Sequence, residues 1–242
     1  MDEDTLIVED MTIMEKSPLF GKKISFNGDS ICQGAGHPGG YGKIIADRCG
    51  MIYQNVGVGG GTVAAEQFTK TGVKRHWISR TVCKMDGDAD YAIVEGGVND
   101  ASLFGDYGSP LLGTITEGFN KELDDTTFIG AFESMLRQLV TKFRGKKIGY
   151  IAVHRMTGRY TPEFREDENF YLAAKRCCEK WGVPFLDLTN EVPPFAFFRP
   201  EGDPRLYELR KRFTKDGDGW HPNEDGYLRY YCDKIESWLK TL

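Results

Sequence analysis

The amino-acid sequence predicts an α/β domain built on a five-stranded parallel sheet with helices on both faces. Five short apolar runs alternate with helix-like stretches from about residue 22 onward, which is typical of βαβ units with right-handed crossovers. No repeat or Gly/Ser-rich linker divides the 242 residues. The 40% hydrophobic and 28% charged residues are ordinary for a globular protein. We therefore expect one domain over residues 22–242, preceded by an acidic extension over residues 1–21.

The first half of the chain supplies three of the predicted strands. Strand one covers 23–27 and stops at a Gly-Asp pair, and a helix follows over about 41–49, where two isoleucines form an apolar face. Strand two covers 51–57 and runs into a glycine cluster. Helical patterns are predicted over about 62–84. Strand three covers 91–95, ends at two glycines and leads into a long loop.

The second half continues the alternation. Apolar residues recur at helical spacing over 127–143, which predicts the clearest helix of the chain. Strand four covers 148–153, a helix follows over about 167–181, and strand five covers 183–187. The last helix is predicted over about 223–239. We expect the five strands to lie in the order 2-1-3-4-5.

Charge and composition exclude several classes of function. The net charge of −5 and the pI near 5.5 have the wrong sign for a nucleic-acid-binding protein. No apolar run approaches the roughly 18 residues of a membrane span, and the acidic N-terminus does not resemble a signal peptide. The six cysteines form no CxxC pair, so we expect reduced thiols, no metal site and a cytoplasmic protein without stable membrane association.

Polar residues and glycines collect where the predicted strands end. Gly28, Asp29 and Ser30 follow strand one, a glycine-rich turn over 57–62 follows strand two, and 97–100 follow strand three. Ligands of open parallel sheets bind outside the carboxyl ends of the strands. The segment 216–222 precedes the last helix and is expected at the same edge. A serine, a histidine and an amide thus converge.

These residue types fit acyl transfer. A serine hydroxyl needs a base to take its proton, and His221 can act as that base for Ser30. A carboxylate on the other ring nitrogen fixes the histidine tautomer, which Asp218 can do from one turn away, with Asp216 as the competing candidate. The oxyanion of the tetrahedral intermediate needs donors. Three are available: the backbone N–H groups of Ser30 and Gly60 and the side chain of Asn99.

Four sequence blocks together resemble the SGNH hydrolase superfamily, also called GDSL esterases and lipases. They are Gly28-Asp29-Ser30, the turn over 57–62, Gly97-Val98-Asn99-Asp100 and Asp218-Gly-Trp-His221, in family order. The resemblance implies a three-layer, flavodoxin-like α/β/α sandwich without cofactor. It also implies Ser30, Asp218 and His221 as the catalytic residues, with Ser30, Gly60 and Asn99 forming the oxyanion hole.

The substrate is less well defined by the sequence. We expect short-acyl, above all acetyl, esters of a carbohydrate or another small alcohol. One alternative is a lysophospholipase or thioesterase with Phe195–Phe198 as an acyl groove, and another is a non-catalytic carbohydrate- or acyl-binding module. The residues 59–64 also satisfy G-x-G-x-x-A, but this follows the second strand and lacks the ribose-binding acid of a dinucleotide site.

A long stretch over 191–213 separates strand five from the histidine block. Loops of this length are often functional, so a lid, an acyl-binding wall and an interface in a homo-oligomer all remain open. Among the other histidines, His37 is a candidate for the pocket wall, whereas His76 and His154 are expected to be structural or superficial. We expect Trp220 to pack in the core.

Overall fold

The computed structural model describes residues 17–69, 71–102, 110–153, 166–189 and 204–242. Five strands form one sheet in the order β2-β1-β3-β4-β5, and every neighbouring pair is parallel. The predicted fold class and strand order are therefore confirmed. The strands are β1 Lys23–Asn27, β2 Ile52–Asn55, β3 Tyr91–Glu95, β4 Lys147–Ala152 and β5 Phe185–Asp187.

The described part of the chain contains eight α-helices. They are α1 Ser30–Gln33, α2 Gly40–Cys49, α3 Val98–Ser102, α4 Phe128–Lys142, α5 Glu166–Trp181, α6 Pro204–Phe213, α7 Glu224–Tyr227 and α8 Asp233–Thr241. A π-helical turn over Leu228–Cys232 joins α7 to α8. Helix α7, this π-helical turn and helix α8 together form one C-terminal helical segment.

Alternation along β3 shows how the sheet is covered. Ala92 and Val94 belong to a core cluster formed with α4 and α5, whereas Tyr91 and Ile93 belong to a second cluster formed with α2 and the C-terminal helical segment. Successive side chains of a strand point to opposite faces, so these two clusters are the two sides of one sheet. All five residues of β3 are buried. The molecule is thus a three-layer α/β/α sandwich.

Helix α4 illustrates why the strongest pattern was correctly predicted. Thr127 precedes the helix in extended conformation, and its side chain accepts a hydrogen bond from the Gly130 N–H at 3.2 Å. Such capping satisfies one of the orphan donors of the first turn. Phe128, Phe132 and Leu139 are fully buried along one face. The predicted bounds, 127–143, differ from the observed helix by one residue at each end.

The helical prediction over 62–84 is wrong for most of its length. Among the described residues of this stretch, 62–69 and 71–84, the only helical elements are two short 3-10 turns, Ile78–Arg80 and Val82–Lys84. Backbone groups upstream of them bond to distant partners instead, since Thr62 donates to the His76 carbonyl and accepts from the Ile78 N–H. The N–H groups of residues 63 and 64 donate to a carboxylate 36 or more positions away. Hydrogen bonds to residues distant in sequence thus take the place of the hydrogen bonds that a helix would form within itself.

Two other segments expected to be loops contain helices. Residues 98–102 form α3, and residues 204–213 of the long stretch 191–213 form α6. Helix α6 begins with a proline, which suits the first helical position, and carries three basic residues in its last turn, which suit the negative end of the helix dipole. The aromatic cluster at Phe195–Phe198 lies outside the described residues.

Two further features accompany the fold. All six cysteines are free thiols, and five of them are buried, Cys83 being exposed. In the described ranges, no helix is both long enough and apolar enough to cross a membrane.

Candidate active site

The nucleophile turn follows directly from the end of β1. Asp29 caps helix α1, because its side chain accepts the Ile31 N–H at 2.8 Å, and Ser30 is the first helical residue. A Cβ on Gly28 would overlap the Glu95 side chain and come within 2.7 Å of the Cys32 Cβ. Only glycine fits there. The turn therefore presents Ser30, which is 7% exposed, at the carboxyl end of the sheet.

Ser30, His221 and Asp218 form one chain of hydrogen bonds. The His221 Nε2 lies 3.1 Å from the Ser30 Oγ, and its Nδ1 lies 2.6 Å from the Asp218 Oδ2. The other carboxylate oxygen, Oδ1, accepts the backbone N–H groups of Trp220 and His221 at 2.7 and 2.9 Å. Asp216, the competing candidate, is exposed. The geometry places Asp218 against the histidine.

Asp218 is electrostatically suited to stay ionised. Burial by itself raises the pKa of this carboxyl, but hydrogen bonds from the His221 side chain and from the backbone of His221 and Trp220 outweigh that effect. The net result is a pKa below the ordinary aspartate value. A charged Asp218 favours the Nδ1–H tautomer of His221, which leaves Nε2 free to accept the Ser30 proton.

The segment that carries His221 is fixed by backbone contacts. The His221 carbonyl accepts the Lys215 N–H at 2.8 Å, and Thr214 pairs with Pro222 in an isolated antiparallel bridge. Asn223 then caps α7 by accepting the Gly226 N–H at 3.0 Å. The last helical segment thus begins immediately after the histidine and anchors it.

The turn over 57–62 presents one backbone donor to the site. Five of its six N–H groups donate within the protein, whereas that of Gly60 has no acceptor among the described residues. Gly60 has φ near +71°, where a side chain would be strained. The five acceptors are the Asn55 side chain for Gly57, the Gly28 carbonyl for Val58, the Gln33 side chain for Gly59, the Val58 carbonyl for Gly61 and the His76 carbonyl for Thr62.

Asn99 lies between the glycine turn and the nucleophile turn. Its Nδ2 donates to the Gly61 carbonyl at 2.9 Å and lies 3.3 Å from the Asp29 Oδ2. The Asn99 amide therefore bridges the two turns. If the amide also donates to a substrate oxygen, one of its hydrogens is shared between that oxygen and the Asp29 Oδ2. The Ser30 N–H also lacks an acceptor within the described part of the chain. The three predicted donors thus lie around one edge of the sheet.

The sequence matches the GDSL-like lipase/acylhydrolase family over residues 26–229. The chain belongs to this family. The match spans all four blocks quoted from the sequence, from Gly28 to His221. Among curated proteins, none matches this GDSL-like chain in sequence.

Solved structures share the GDSL-like fold at low identity. A protein from Lactobacillus plantarum is 20% identical, with a TM-score of 0.66 over 92% of this chain and 97% of its own. A Bacteroides ovatus protein assigned to the GDSL-like lipases is 14% identical, with a TM-score of 0.60 over 92% and 99%. The acetyl xylan esterase AlAXEase is 16% identical, with a TM-score of 0.53 over 90% and 99%.

Sequence reasoning assigned no role to two residues that support the GDSL-like site. The buried Asp100 carboxylate accepts the N–H groups of Val63 and Ala64 at 2.8 and 2.9 Å, and burial raises its pKa to about 6. Arg75 donates from Nη1 to the Gly60 carbonyl at 3.0 Å. Asp100 stands in a quoted block, which was a usable signal. Arg75 gave none, because its segment was interpreted as a helix.

The two other described histidines contact residues outside this hydrogen-bond chain. The His37 Nδ1 is 3.8 Å from the Glu224 carboxylate, and His76 contacts the Thr81 hydroxyl at 3.3 Å, with burial lowering the pKa of its imidazole. His154 lies outside the described residues. Trp220 packs against the second core cluster. Among described residues, no group of three or more metal-binding side chains is arranged to hold an ion.

Proposed function

We propose that this GDSL-like acylhydrolase is a serine esterase that cleaves carboxylic esters through an acyl-Ser30 intermediate. The observation that carries the proposal is the continuous hydrogen-bond chain from Ser30 through His221 to Asp218. Such a chain couples attack by a hydroxyl to removal of its proton. It lies at the carboxyl edge of the sheet, beside the turn whose Gly60 N–H has no acceptor among the residues that the structure describes.

The reaction proceeds in two balanced halves. The Ser30 Oγ attacks the ester carbonyl carbon while its proton passes to the His221 Nε2, and the carbonyl oxygen becomes an oxyanion. Collapse breaks the bond to the alcohol oxygen, which takes the proton from His221 and leaves. Water then attacks acyl-Ser30 with His221 as base, and the carboxylic acid is released as Ser30 regains its proton.

Donors at the sheet edge stabilise the oxyanion in this scheme. They are the N–H groups of Ser30 and Gly60 and the Asn99 amide, which shares one of its hydrogens between the oxyanion and the Asp29 carboxylate. A single donor of this kind contributes about 10²–10³ in rate, because it is already oriented when charge develops. The positive charge that forms on His221 is balanced by Asp218.

The substrate that we propose is a short-acyl, above all acetyl, ester of a carbohydrate or another small alcohol. The acetyl xylan esterase and a family two carbohydrate esterase from Clostridium thermocellum share the fold, which supports this choice. A lipid acyl hydrolase and a non-catalytic carbohydrate- or acyl-binding module are the alternatives. The cytoplasmic location stays a prediction from the sequence.

Hydrolysis of a p-nitrophenyl ester series from acetate to palmitate, by the wild type and Ser30→Ala, tests the proposal. We expect fastest turnover of acetate and loss of turnover in the variant. A preference for long chains would contradict the short-acyl substrate and favour the lipid alternative. Turnover that survives in Ser30→Ala would contradict the serine mechanism, and no Ser30-dependent turnover of any ester would favour the binding module.

A further inference from the structure

A buried carboxyl group lies directly behind the nucleophile turn and has no role in the mechanism above. Glu95 is the last residue of β3, and its side chain is 0% exposed. Its Oε1 accepts the Asp29 N–H at 2.5 Å, so it contacts the residue immediately before Ser30. The same side chain fills the space that a Cβ on Gly28 would occupy. Glu95 therefore shapes the turn that presents the nucleophile.

The surroundings of Glu95 hold no positive charge to balance an ionised carboxylate. In the described ranges, no lysine, arginine or histidine forms an ion pair with it. Its Oε2 is buried without a hydrogen-bond partner there. The titratable groups facing it, from the nucleophile turn, α1, α2, β4, α7 and the π-helical turn, are Asp29, Cys32, Tyr41, Tyr150, Tyr227 and Tyr231.

All of these neighbouring side chains are neutral or acidic, so none of them stabilises a negative charge on Glu95. The protonated form of Glu95 is therefore favoured. Transfer of an unpaired carboxylate from water to such a place costs several kcal/mol, which a carboxyl group avoids by keeping its proton. Burial, followed by the nearby Asp29 carboxylate, raises the pKa of Glu95 well above its ordinary value. Asp29 is the member of the pair better suited to carry the charge, because its side chain accepts the Ile31 N–H and lies near the Asn99 amide.

We propose that Glu95 is a neutral carboxylic acid that positions the Ser30 turn by accepting the Asp29 N–H without placing a second negative charge beside Asp29. Neutrality matters at this place, because the reaction itself builds an oxyanion nearby, and a further buried anion would oppose it. Glu95 is thus a positioning residue and makes no contact with substrate. This positioning role rests on the proposed esterase function, whereas the protonation state does not.

Glu95→Gln is the first test, because glutamine keeps the acceptor and the size but cannot ionise. The folded wild type keeps a proton that the unfolded chain releases above the ordinary glutamate pKa. The wild type therefore loses stability relative to Glu95→Gln as pH rises through that window. We expect the variant's relative free energy of unfolding in urea to be higher at about pH 8 than at about pH 5. The infrared difference spectrum between the two proteins should show a protonated carboxyl band belonging to the wild type.

Glu236→Gln is the matched control with the opposite sign. Burial raises the pKa of Glu236, but Lys240 and Arg48 outweigh that effect and leave it below the ordinary value. Its ionised form therefore stabilises the fold, and this contribution is lost as pH falls. The control should lose nearly the same stability relative to the wild type at about pH 8 and at about pH 5, because both lie above the ordinary glutamate pKa, and less at about pH 3. A pH-independent difference for Glu95→Gln, or no protonated carboxyl band, would overturn the neutral acid.

Glu95→Leu tests the positioning role, because leucine removes the acceptor for the Asp29 N–H. We expect covalent labelling of Ser30 by a fluorophosphonate to slow by about 10-fold or more in Glu95→Leu, and to stay within about 3-fold of the wild type in Glu95→Gln. Equal rates in all three proteins, or slowing in Glu95→Gln as large as in Glu95→Leu, would overturn that role. No labelling of the wild type would overturn the proposed function and the positioning role with it, while the infrared and unfolding results would still decide the protonation state.

Discussion

In the proposed mechanism His221 serves as a base toward Ser30 only when its Nδ1 carries the hydrogen, and Asp218 is the residue that we propose enforces this tautomer. An asparagine at position 218 would present a donor or a weaker acceptor to Nδ1, so the wrong tautomer would become populated. We expect Asp218→Asn to lower kcat for an activated acetyl ester by about 10²–10⁴-fold with little change in KM. Steady-state kinetics at neutral pH measures both constants.

Asp216→Asn is the control for this substitution. Asp216 lies two residues away, is exposed and has φ near +51°, a backbone conformation that asparagine also adopts. Its replacement should leave kcat within about 2-fold of the wild type. A large loss of kcat in Asp216→Asn, or none in Asp218→Asn, would reverse the assignment of the two carboxylates.

Asn99 combines a proposed chemical role with a structural one. Its amide bridges Gly61 and Asp29, so Asn99→Ala removes two hydrogen bonds as well as an oxyanion donor. We expect kcat to fall by about 10²-fold and the free energy of unfolding to fall by about 1–2 kcal/mol. Ester hydrolysis and urea-induced unfolding measure the two effects separately.

Gln138→Ala is the control that separates an effect on the free energy of unfolding from an effect on kcat. The Gln138 amide donates to the backbone carbonyls of Ser79 and Ser134, away from Ser30 and His221. Its removal should lower the free energy of unfolding by about 1 kcal/mol without lowering kcat. An unchanged kcat in Asn99→Ala would remove Asn99 from the oxyanion hole and leave it only the bridging role.

At the scale of elements, residues 66–69 and 71–77 support the turn over 57–62 from outside the sheet. Phe68 pairs with Lys74 in an antiparallel bridge, and Arg75 then reaches the Gly60 carbonyl. Without this donor the backbone on either side of the Gly60 Cα is less firmly held, and small misplacements of the groups proposed to act on substrate are costly. We expect Arg75→Met to lower kcat by about 10-fold, with KM within about 2-fold of the wild type.

Arg80→Met is the matched control, because Arg80 belongs to the same region but binds Glu66 and Asp125 on its outer side. It should change thermal stability slightly and leave kcat unchanged, since exposed ion pairs contribute little. If both variants lose kcat equally, the effect comes from general loosening of the segment. If Arg75→Met raises only KM, Arg75 binds substrate instead of orienting Gly60.

The elements that could be predicted from sequence are those whose pattern is set by the sheet and its covering helices. The buried β3 and the apolar face of α4 produce local signals of the right period. The segment 62–84 has helix-like residues as well, but Asp100 and His76 capture its backbone groups. Such capture depends on residues far along the chain, so no window of sequence could contain it.

At the scale of the whole molecule, the parallel sheet explains why four separate blocks could be assigned to one site. Parallel strands bring their carboxyl ends to one edge, so residues such as Asp29 and Asn99 meet although 70 positions separate them. The supporting contacts were beyond prediction. Glu95 and Asp100 act on backbone N–H groups of other elements, and nothing in their local sequence indicates which group each accepts.

Helices α4 and α5 are joined by a buried charge pair whose two members also form hydrogen bonds with the segment before α4. Glu133 on α4 is 0% exposed and contacts Lys180 of α5, which is 14% exposed. Its carboxylate also accepts the Thr116 N–H at 2.9 Å and the Trp181 Nε1–H at 3.0 Å. Removal of one partner of a buried pair leaves a charge without compensation, which is more costly than loss of an exposed pair.

Glu133→Gln should therefore destabilise the whole fold while sparing the chemistry. Glutamine keeps an acceptor for Thr116 or Trp181 but leaves the Lys180 ammonium without its counter-charge, so we expect the free energy of unfolding to fall by about 3 kcal/mol.

The control is Asp47→Asn, which breaks the exposed Lys43–Asp47 pair on α2 and should change the free energy of unfolding by about 0.5 kcal/mol or less. Urea-induced unfolding at low and high salt distinguishes the two, because salt screens only the exposed pair appreciably. Equal losses in both variants would mean that the buried pair stabilises the fold no more than the exposed pair does, whereas the expected loss with unchanged kcat would place this contact among the determinants of stability alone.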